Sequence, residues 1–333
     1  MASNEDWYAG RNVLITGGLG FIGSSLAIRM VELGANVTIV DAMIPEFGGN
    51  WKNIEPIREQ VRIYQDDMRS FQALTQIVKG QQAIFHLAGQ VSHGDSMREP
   101  LTDLGVNCVS TMNLVEACRV HNPDARIAYT STRQVYGTPQ HLPVREDHPV
   151  LPVDVNGINK LAAEYYHLLY DRVYDVKSTV LRLTNTYGPR LQIQNDRQGF
   201  IGVFLKRCLT DQEIQIFGDG KQIRDFNYVD DVVDALVLSL LHDECFGHVF
   251  NLGSTSDRYS LLDFVQTLAA VSDVRYKIVP FPDDKKLIDI GDYYGDYSAF
   301  SAITGWQPKT VLGQGLMQTL AFYKANRGNY LKP

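Results

Sequence analysis

Three glycines, Gly17, Gly20 and Gly23 in TGGLGFIG, stand between a β-branched run, NVLIT, and a helical pattern, FIGSSLAIRMVELGA, that stops at Gly34. A chain turning from strand into helix there can offer its backbone and the helix N-terminus to a pyrophosphate. The tight turn, the close backbone approach and the packing of helix on strand each favour a residue without Cβ. Phe21 and Ile22 ride on the same turn. Asp41 ends the next strand, NVTIVDA, 18 residues after Gly23. A carboxylate there accepts hydrogen bonds from both ribose hydroxyls and repels a 2′-phosphate, which predicts NAD rather than NADP. Asp67 and Met68, in QDDMRS after the third strand, are placed either to hold the edge and face of an adenine or simply to end a solvated loop.

A second constellation lies in PVDVNGINKLAAEYY, residues 152–166, where a Pro-bounded loop runs into an amphipathic helix. Asn156 and Lys160 are four residues apart and share a helix face. The ammonium can hold a polar ligand and shift the titration of a neighbour. The amide has no ionisation near neutral pH, so it can orient a hydroxyl or a water but cannot take its proton.

The elements that must position these residues alternate. After NVTIVDA come strand VRIYQ, helix FQALTQIVKG, strand AIFHLAG, a long helix over 102–121, strand RIAYTS, the helix that starts near Asn156, strand STVLRLTN and helix VDDVVDALVLSLL. Such alternation implies an α/β fold with a doubly wound parallel sheet covered on both faces. The rhythm breaks after Asn185: TYGPRLQIQNDRQG reads as loop and EIQIFGDGKQIRDF as a hairpin with a Gly-rich turn. The tail beyond 253 mixes short elements with Pro280, Pro282 and Pro308, which suits a smaller lobe over the carboxyl edge of the sheet, where open α/β sheets bind ligands.

Composition sets bounds. The 333 residues are 44% hydrophobic and 21% charged, with a net charge of −7, which argues against nucleic acid as the main ligand and asks for a local cationic pocket if the ligand is an anion. The four cysteines have no CxxC or metal-type spacing, so no metal site is expected and the thiols read as free in a reducing compartment. No apolar run spans a bilayer. The stretch from Val13 to Val31 has the outline of a signal peptide, but the residues before it are acidic and four glycines interrupt it. A cytoplasmic protein with no membrane partner is the expectation.

TGGLGFIG, FHLAGQ, YTSTRQVYG, LRLTNTYGPR and FGDGKQIRDFNYVDD occur in that order over nearly the whole chain. With this set the chain resembles extended short-chain dehydrogenases and, more closely, the nucleotide-sugar epimerase and dehydratase family. The resemblance implies a Rossmann-type NAD-binding domain over residues 1–184, with 225–252 returning to it, and a smaller C-terminal α/β substrate lobe from 185–224 and 253–333. It implies a nucleoside-diphosphate sugar as substrate, oxidised transiently and then reduced again. Carried over position by position, Leu87, Ala88 and Gly89 line the cofactor. Thr132 holds the reacting hydroxyl, Lys160 binds the nicotinamide ribose, and Asn185 and Arg224 hold the phosphates. On residue chemistry alone, Arg224 has a second use open to it, an ion pair with Asp225 or a helix carboxylate. The helices over 102–121 and 156–175 match those that make a dimeric four-helix bundle in relatives, so a homodimer is expected, although burial within one chain also accounts for their apolar residues.

Three departures from the family pattern bear on the reaction. Asn156 stands where the Y-x-x-x-K motif has its Tyr. Arg133 and Gln134 stand where 4,6-dehydratases carry an Asp-Glu pair, and neither can supply acid and base, which argues against dehydration. Gln134 is left to bind a sugar hydroxyl and Arg133 a carboxylate or phosphate, or both to serve as ordinary loop residues. Asp289 stands where many members have a phosphate-binding Arg, with Lys285 and Lys286 nearby. Among candidates for the displaced base, Tyr165 and Tyr166 lie too far along the helix, and Tyr136 belongs to a structural or substrate-facing motif. His93, in the loop that faces the hexose in relatives, has a side chain of suitable pKa, and is otherwise an incidental loop histidine. Epimerisation is the leading expectation, at the 4-position and next at the 2-position, as in CDP-paratose 2-epimerases. A nucleotide-sugar decarboxylase and a binding protein without turnover are the alternatives.

Overall fold

The computed structural model describes residues 4–255 and 258–331, apart from the side chains of residues 4, 284 and 285. Its strands are short and β-branched. They are β1 (Asn12–Thr16), β2 (Asn36–Val40), β3 (Arg62–Tyr64), β4 (Ala83–His86), β5 (Arg126–Thr132), β6 (Ser178–Leu183), β7 (Asn185–Tyr187), β8 (Ile214–Phe217), β9 (Ile223–Tyr228), β10 (Val249–Leu252), β11 (Arg258–Ser260) and β12 (Tyr276–Val279). Seven of them form one parallel sheet in the order β10-β6-β5-β4-β1-β2-β3. The order runs outward in both directions from β1, so the loops after β1 and β4 part there and open a crevice at the carboxyl edge.

Helices cover both faces. They include α1 (Phe21–Glu32), α2 (Phe71–Ile77), α3 (His93–Arg98), α4 (Pro100–Asp103), α5 (Ser110–His121), α6 (Val155–Tyr174), α7 (Phe200–Leu209), α8 (Val229–Ser239) and α9 (Leu261–Ser272). Between α4 and α5 the backbone winds as a π-helix over Leu104–Val109, so the long helix expected over 102–121 is continuous but locally wider. One core, on the face of α1 and α8, contains Val13, Ile15, Leu26, Phe85 and Leu236; the other, under α2 and α5, contains Leu14, Leu74, Leu114 and Ile127. Neighbouring β1 residues point to opposite faces, and Val13, Leu14, Ile15 and Thr16 are all buried, as a doubly covered parallel strand requires.

A third hydrophobic cluster, around Phe204, Phe226, Phe264 and Leu316, makes the smaller lobe. There the expected hairpin is not found. β8 pairs in parallel with β12, and β9 lies between β7 and β11. The Gly-rich turn between β8 and β9 does form, with Gly218 and Gly220 both at positive φ, but it sends the two strands into different sheets. The boundary drawn at residue 225 falls inside β9, so the chain leaves the small sheet only at α8. Residues Phe300 and Trp306 pack back on the first core. No described helix is long and apolar enough to cross a membrane.

Candidate functional site

The carboxyl ends of β1, β2, β4, β5 and β6 open on one cleft of about 470 Å³ that continues beneath the smaller lobe, a volume typical of small-molecule sites. At the β1 end, Gly17 has φ +69°, and a Cβ on it would lie 2.9 Å from the backbone of Ala88. A Cβ on Gly23 would lie 2.2 Å from the Gly17 carbonyl oxygen. Thr16 Oγ1 accepts from the Leu87 and Ala88 N–H groups at 3.1 and 3.0 Å, tying the β4 loop to the turn. Gly17, Gly20, Phe21, Ile22, Gly23, Leu87, Ala88 and Gly89 all line the cleft.

Asp41 closes this end. Its carboxylate accepts from Leu19 N at 3.0 Å and Met43 N at 2.9 Å. Burial pushes its pKa up, against those two N–H groups. Each oxygen keeps lone-pair capacity for a further donor, as a ribose diol would supply. A bare-backbone turn at a helix start, with a carboxylate one strand over, fits a dinucleotide. Met68 is buried on the same wall, whereas Asp67 is occupied by Arg69, whose guanidinium holds its carboxyl below the usual range.

The other end gathers residues from five segments. Lys160 is buried, donates to Thr130 O at 3.1 Å and sits 5.0 Å over the Tyr129 ring. Burial lowers its pKa to about 8, against the charges of Asp103 and Glu164. Thr132 ends β5 on the cleft wall, and its Oγ1 accepts from Gln134 N. Asn156 is on the wall too, but its amide is committed: Nδ2 donates to Gln90 O at 2.8 Å and to Asp103 Oδ2 at 3.1 Å. Asp103, fully buried, also accepts from Asn159 at 2.7 Å. Asn156 thus joins α6 to the β4 loop and α4.

Arg133, Asn185 and Arg224 also line the cleft. Arg133 Nη2 donates to Asn185 Oδ1 at 3.3 Å, its guanidinium lies 5.2 Å over the Tyr293 ring, and its buried Nη1 has no acceptor among the described residues. Arg224 is more occupied. Nη1 donates to the carbonyls of Ile223 and Gly291, and Nη2 to Gln222 Oε1 and, at 3.3 Å, to Asp289. The ion pair open to Arg224 therefore forms, with Asp289 rather than Asp225. Lys286 turns to Asp283, and the Lys285 side chain lies outside the described residues.

His93 begins α3 and lines the cleft. Gln134 does not reach the cleft wall: it is buried and donates to Asp154 Oδ2 at 2.9 Å. Asp154 itself escapes a reading of the sequence by chemistry. It is the N-cap of α6, accepting from Gly157 N at 2.7 Å, and an Asp just ahead of a helical pattern is the signal that marks it. Asp103 carries no comparable local signal, because its partners lie more than fifty residues away.

This geometry joins a dinucleotide cradle to a polar pocket, and comparison with known proteins places the chain. The model of the NAD dependent epimerase/dehydratase family matches residues 13–253. A UDP-glucose 4-epimerase of Mycolicibacterium smegmatis is 30% identical over 315 residues, covering 93% of this chain and 98% of the relative. The crystal structure of a UDP-glucose 4-epimerase from Thermotoga maritima with UDP-glucose superposes with a TM-score of 0.85 at 30% identity, covering 95% of this chain and 99% of that one. A UDP-N-acetylglucosamine 4-epimerase from Methanobrevibacter ruminantium, in complex with UDP-N-acetylmuramic acid, gives a TM-score of 0.87 at 27% identity, over 96% and 99% of the two chains. The chain belongs to the NAD-dependent epimerase/dehydratase family, and its cofactor is NAD.

Proposed function

We propose that this protein epimerises a nucleoside-diphosphate sugar, oxidising one carbinol and reducing the resulting ketone from the other face, at the 4-position first and the 2-position next. The observation that carries the reading is the single cleft that joins the cradle of Gly17 and Asp41 to Thr132, Lys160 and Arg224. Bound NAD supplies a reversible hydride acceptor. The chain's own residues do the rest. Gly17, Gly20 and Gly23 admit the pyrophosphate, and Asp41 takes the adenosine ribose. Lys160 is placed for the second ribose, and its buried charge favours a partly anionic oxygen close by. Thr132 Oγ1 orients the reacting hydroxyl, while Asn185 and Arg224 face the phosphates.

One observation favours a second reading, a redox-neutral change at a sugar that bears a carboxylate. Arg133 follows Thr132 directly and keeps one guanidinium nitrogen without an acceptor among the described residues, and the structure of the Methanobrevibacter protein is a complex with UDP-N-acetylmuramic acid, a sugar nucleotide that bears a carboxylate. Arg recognises a carboxylate through paired N–H donors. The test for both is the same. NAD-loaded protein is mixed with UDP-glucose, UDP-N-acetylglucosamine and UDP-glucuronate, absorbance at 340 nm is followed, and the sugar nucleotides are separated by anion exchange. Epimer formation supports the first reading and loss of carbon dioxide from the uronate the second. Bound sugar nucleotides with neither product nor a 340 nm change would mean a binding protein.

The reading includes a homodimer. On α6, Ile158, Tyr165, Leu169 and Val173 share one exposed face, and Leu101 (80% exposed), Val109 and Val120 continue it on the neighbouring helices. Contiguous exposed apolar residues of this kind are characteristic of protein interfaces.

A further inference from the structure

Asn156 cannot serve the oxidation as a base, and its amide hydrogens are already given to Gln90 and Asp103. A second group nearby is built differently. Asp154, two residues upstream, has a fully buried side chain and divides its oxygens between two tasks. Oδ1 caps α6 through Gly157 N. Oδ2 accepts from Gln134 and lies 3.0 Å from His93 Nδ1. The ring is turned off the line of an ideal hydrogen bond, a displacement common at catalytic pairs before substrate binds. Burial raises the pKa of Asp154, but His93, Gly157 N–H and Gln134 together outweigh it and hold the carboxyl below its usual range.

The exposure of His93 is uneven. Its Nδ1 is buried against Asp154 while the side chain as a whole is 37% exposed, so the Nε2 edge is the open one. Its backbone is fixed as well: Ser92 caps α3 and donates to Arg197 O at 2.8 Å. An incidental loop histidine has no need of a buried carboxylate behind it and a hydrogen-bonded amide behind that.

We propose that His93 is the acid/base of this site and that Asp154, backed by Gln134, is its positioning residue. The inference rests on the epimerase reading above. The sugar O–H bond breaks and an N–H bond forms at Nε2, while the hydrogen and electron pair leaving the carbon are those the bound dinucleotide takes and later returns. On the return the imidazolium gives its proton back to the same oxygen, so the cycle is balanced. The carboxylate fixes Nδ1 as the protonated nitrogen, leaving Nε2 free to accept. Asp95, two residues along α3, is paired with Arg197 and Arg98, and Arg133 and Lys160 line the same cleft as His93.

The experiment uses NAD-loaded protein and the sugar nucleotide that wild type converts. His93→Ala and His93→Gln are expected to lose roughly a hundred- to ten-thousandfold in kcat, with sugar-nucleotide Kd changed by less than about threefold, as for a group used only in the transition state. Asp154→Ser keeps a side chain able to cap α6 but offers His93 no carboxylate; it is expected to melt near wild type and lose turnover. Adding it to His93→Gln is expected to cost nothing more, since the two act as one unit. Nitrogen-15 spectra of labelled histidine supply a readout independent of turnover: an Nδ1–H tautomer at His93 in wild type, lost in Asp154→Ser. Turnover in the His93 variants within about threefold of an active wild type would overturn the assignment, and so would a tautomer indifferent to Asp154. An inactive wild type refutes the epimerase reading instead, and the spectra still decide the pairing.

Discussion

Replacing Asp289 with Asn tests how an acidic protein takes an anionic substrate. Asp289 Oδ1 lies 3.3 Å from Arg224 Nη2, and its Oδ2 accepts from Gln222 Nε2 at 2.5 Å. Arg224 is buried, which together with the charge of Arg133 lowers its pKa to about 10, with Asp289, Asp292 and Asp225 opposing. In the proposed reading it is the cation that holds the diphosphate, yet its own counter-ion already occupies one side. Both Nη atoms already have acceptors, so a phosphate oxygen would meet the guanidinium at Nε, ~6 Å from Asp289. With an effective dielectric of ~20–80, that repulsion is about 0.7–3 kcal/mol. Asn has nearly the same volume and keeps an acceptor for Gln222, so the change removes charge and little else. UDP is therefore expected to bind the Asp289→Asn variant roughly 3- to 100-fold more tightly by isothermal titration calorimetry, while the melting temperature falls because Arg224 loses its partner. Unchanged or weaker UDP binding in a folded variant would refute the reasoning, since it would place the diphosphate away from Arg224.

Other substitutions probe the remaining parts. In Gly23→Ala the new methyl would sit 2.2 Å from Gly17 O; an overpacking cost of about 1–3 kcal/mol is expected to fall on the cofactor turn, so that the purified variant carries less NAD, measured after release by acid. Lys160 has a pKa of about 8 when folded and 10.5 as its ordinary value. The unfolded chain therefore binds more protons between those values, and stability rises with pH across that window. The lysine's contribution to this rise in the cofactor-free protein is about 3 kcal/mol at most, and Lys160→Met is expected to abolish it in urea titrations at pH 7.5 and 10. Leu169→Glu, a charge placed in the exposed face of α6, is expected to halve the mass seen by light scattering without changing the circular dichroism spectrum.

The parts of the fold and site that were legible in the sequence are those whose meaning is local. Gly17, Gly20, Gly23 and Asp41 declare themselves by spacing within one strand–turn–helix–strand unit, and the structure puts all four on one cleft. The β-branched runs gave the strands of the parallel sheet for the same reason. The pairing of β8 and β9 was misread because a Gly-rich turn specifies a reversal of the chain but not which strand lies next to it, and β12, sixty residues away, took the place of β9. The sequence leaves Gln134 open to a sugar hydroxyl or to an ordinary loop role, and Asp154, twenty residues on, draws it into the protein. Asp154 and Asp103 act through residues distant in sequence, and only the fold brings a buried carboxylate to His93 or to Asn156.

The most direct test of the whole account is the absorbance of the bound cofactor. NAD-loaded wild type, mixed rapidly with UDP-glucose or UDP-N-acetylglucosamine, is expected to show a rise at 340 nm that decays as the epimer accumulates. A sugar nucleotide that binds by calorimetry, yet produces neither a 340 nm signal nor an epimer, would contradict it.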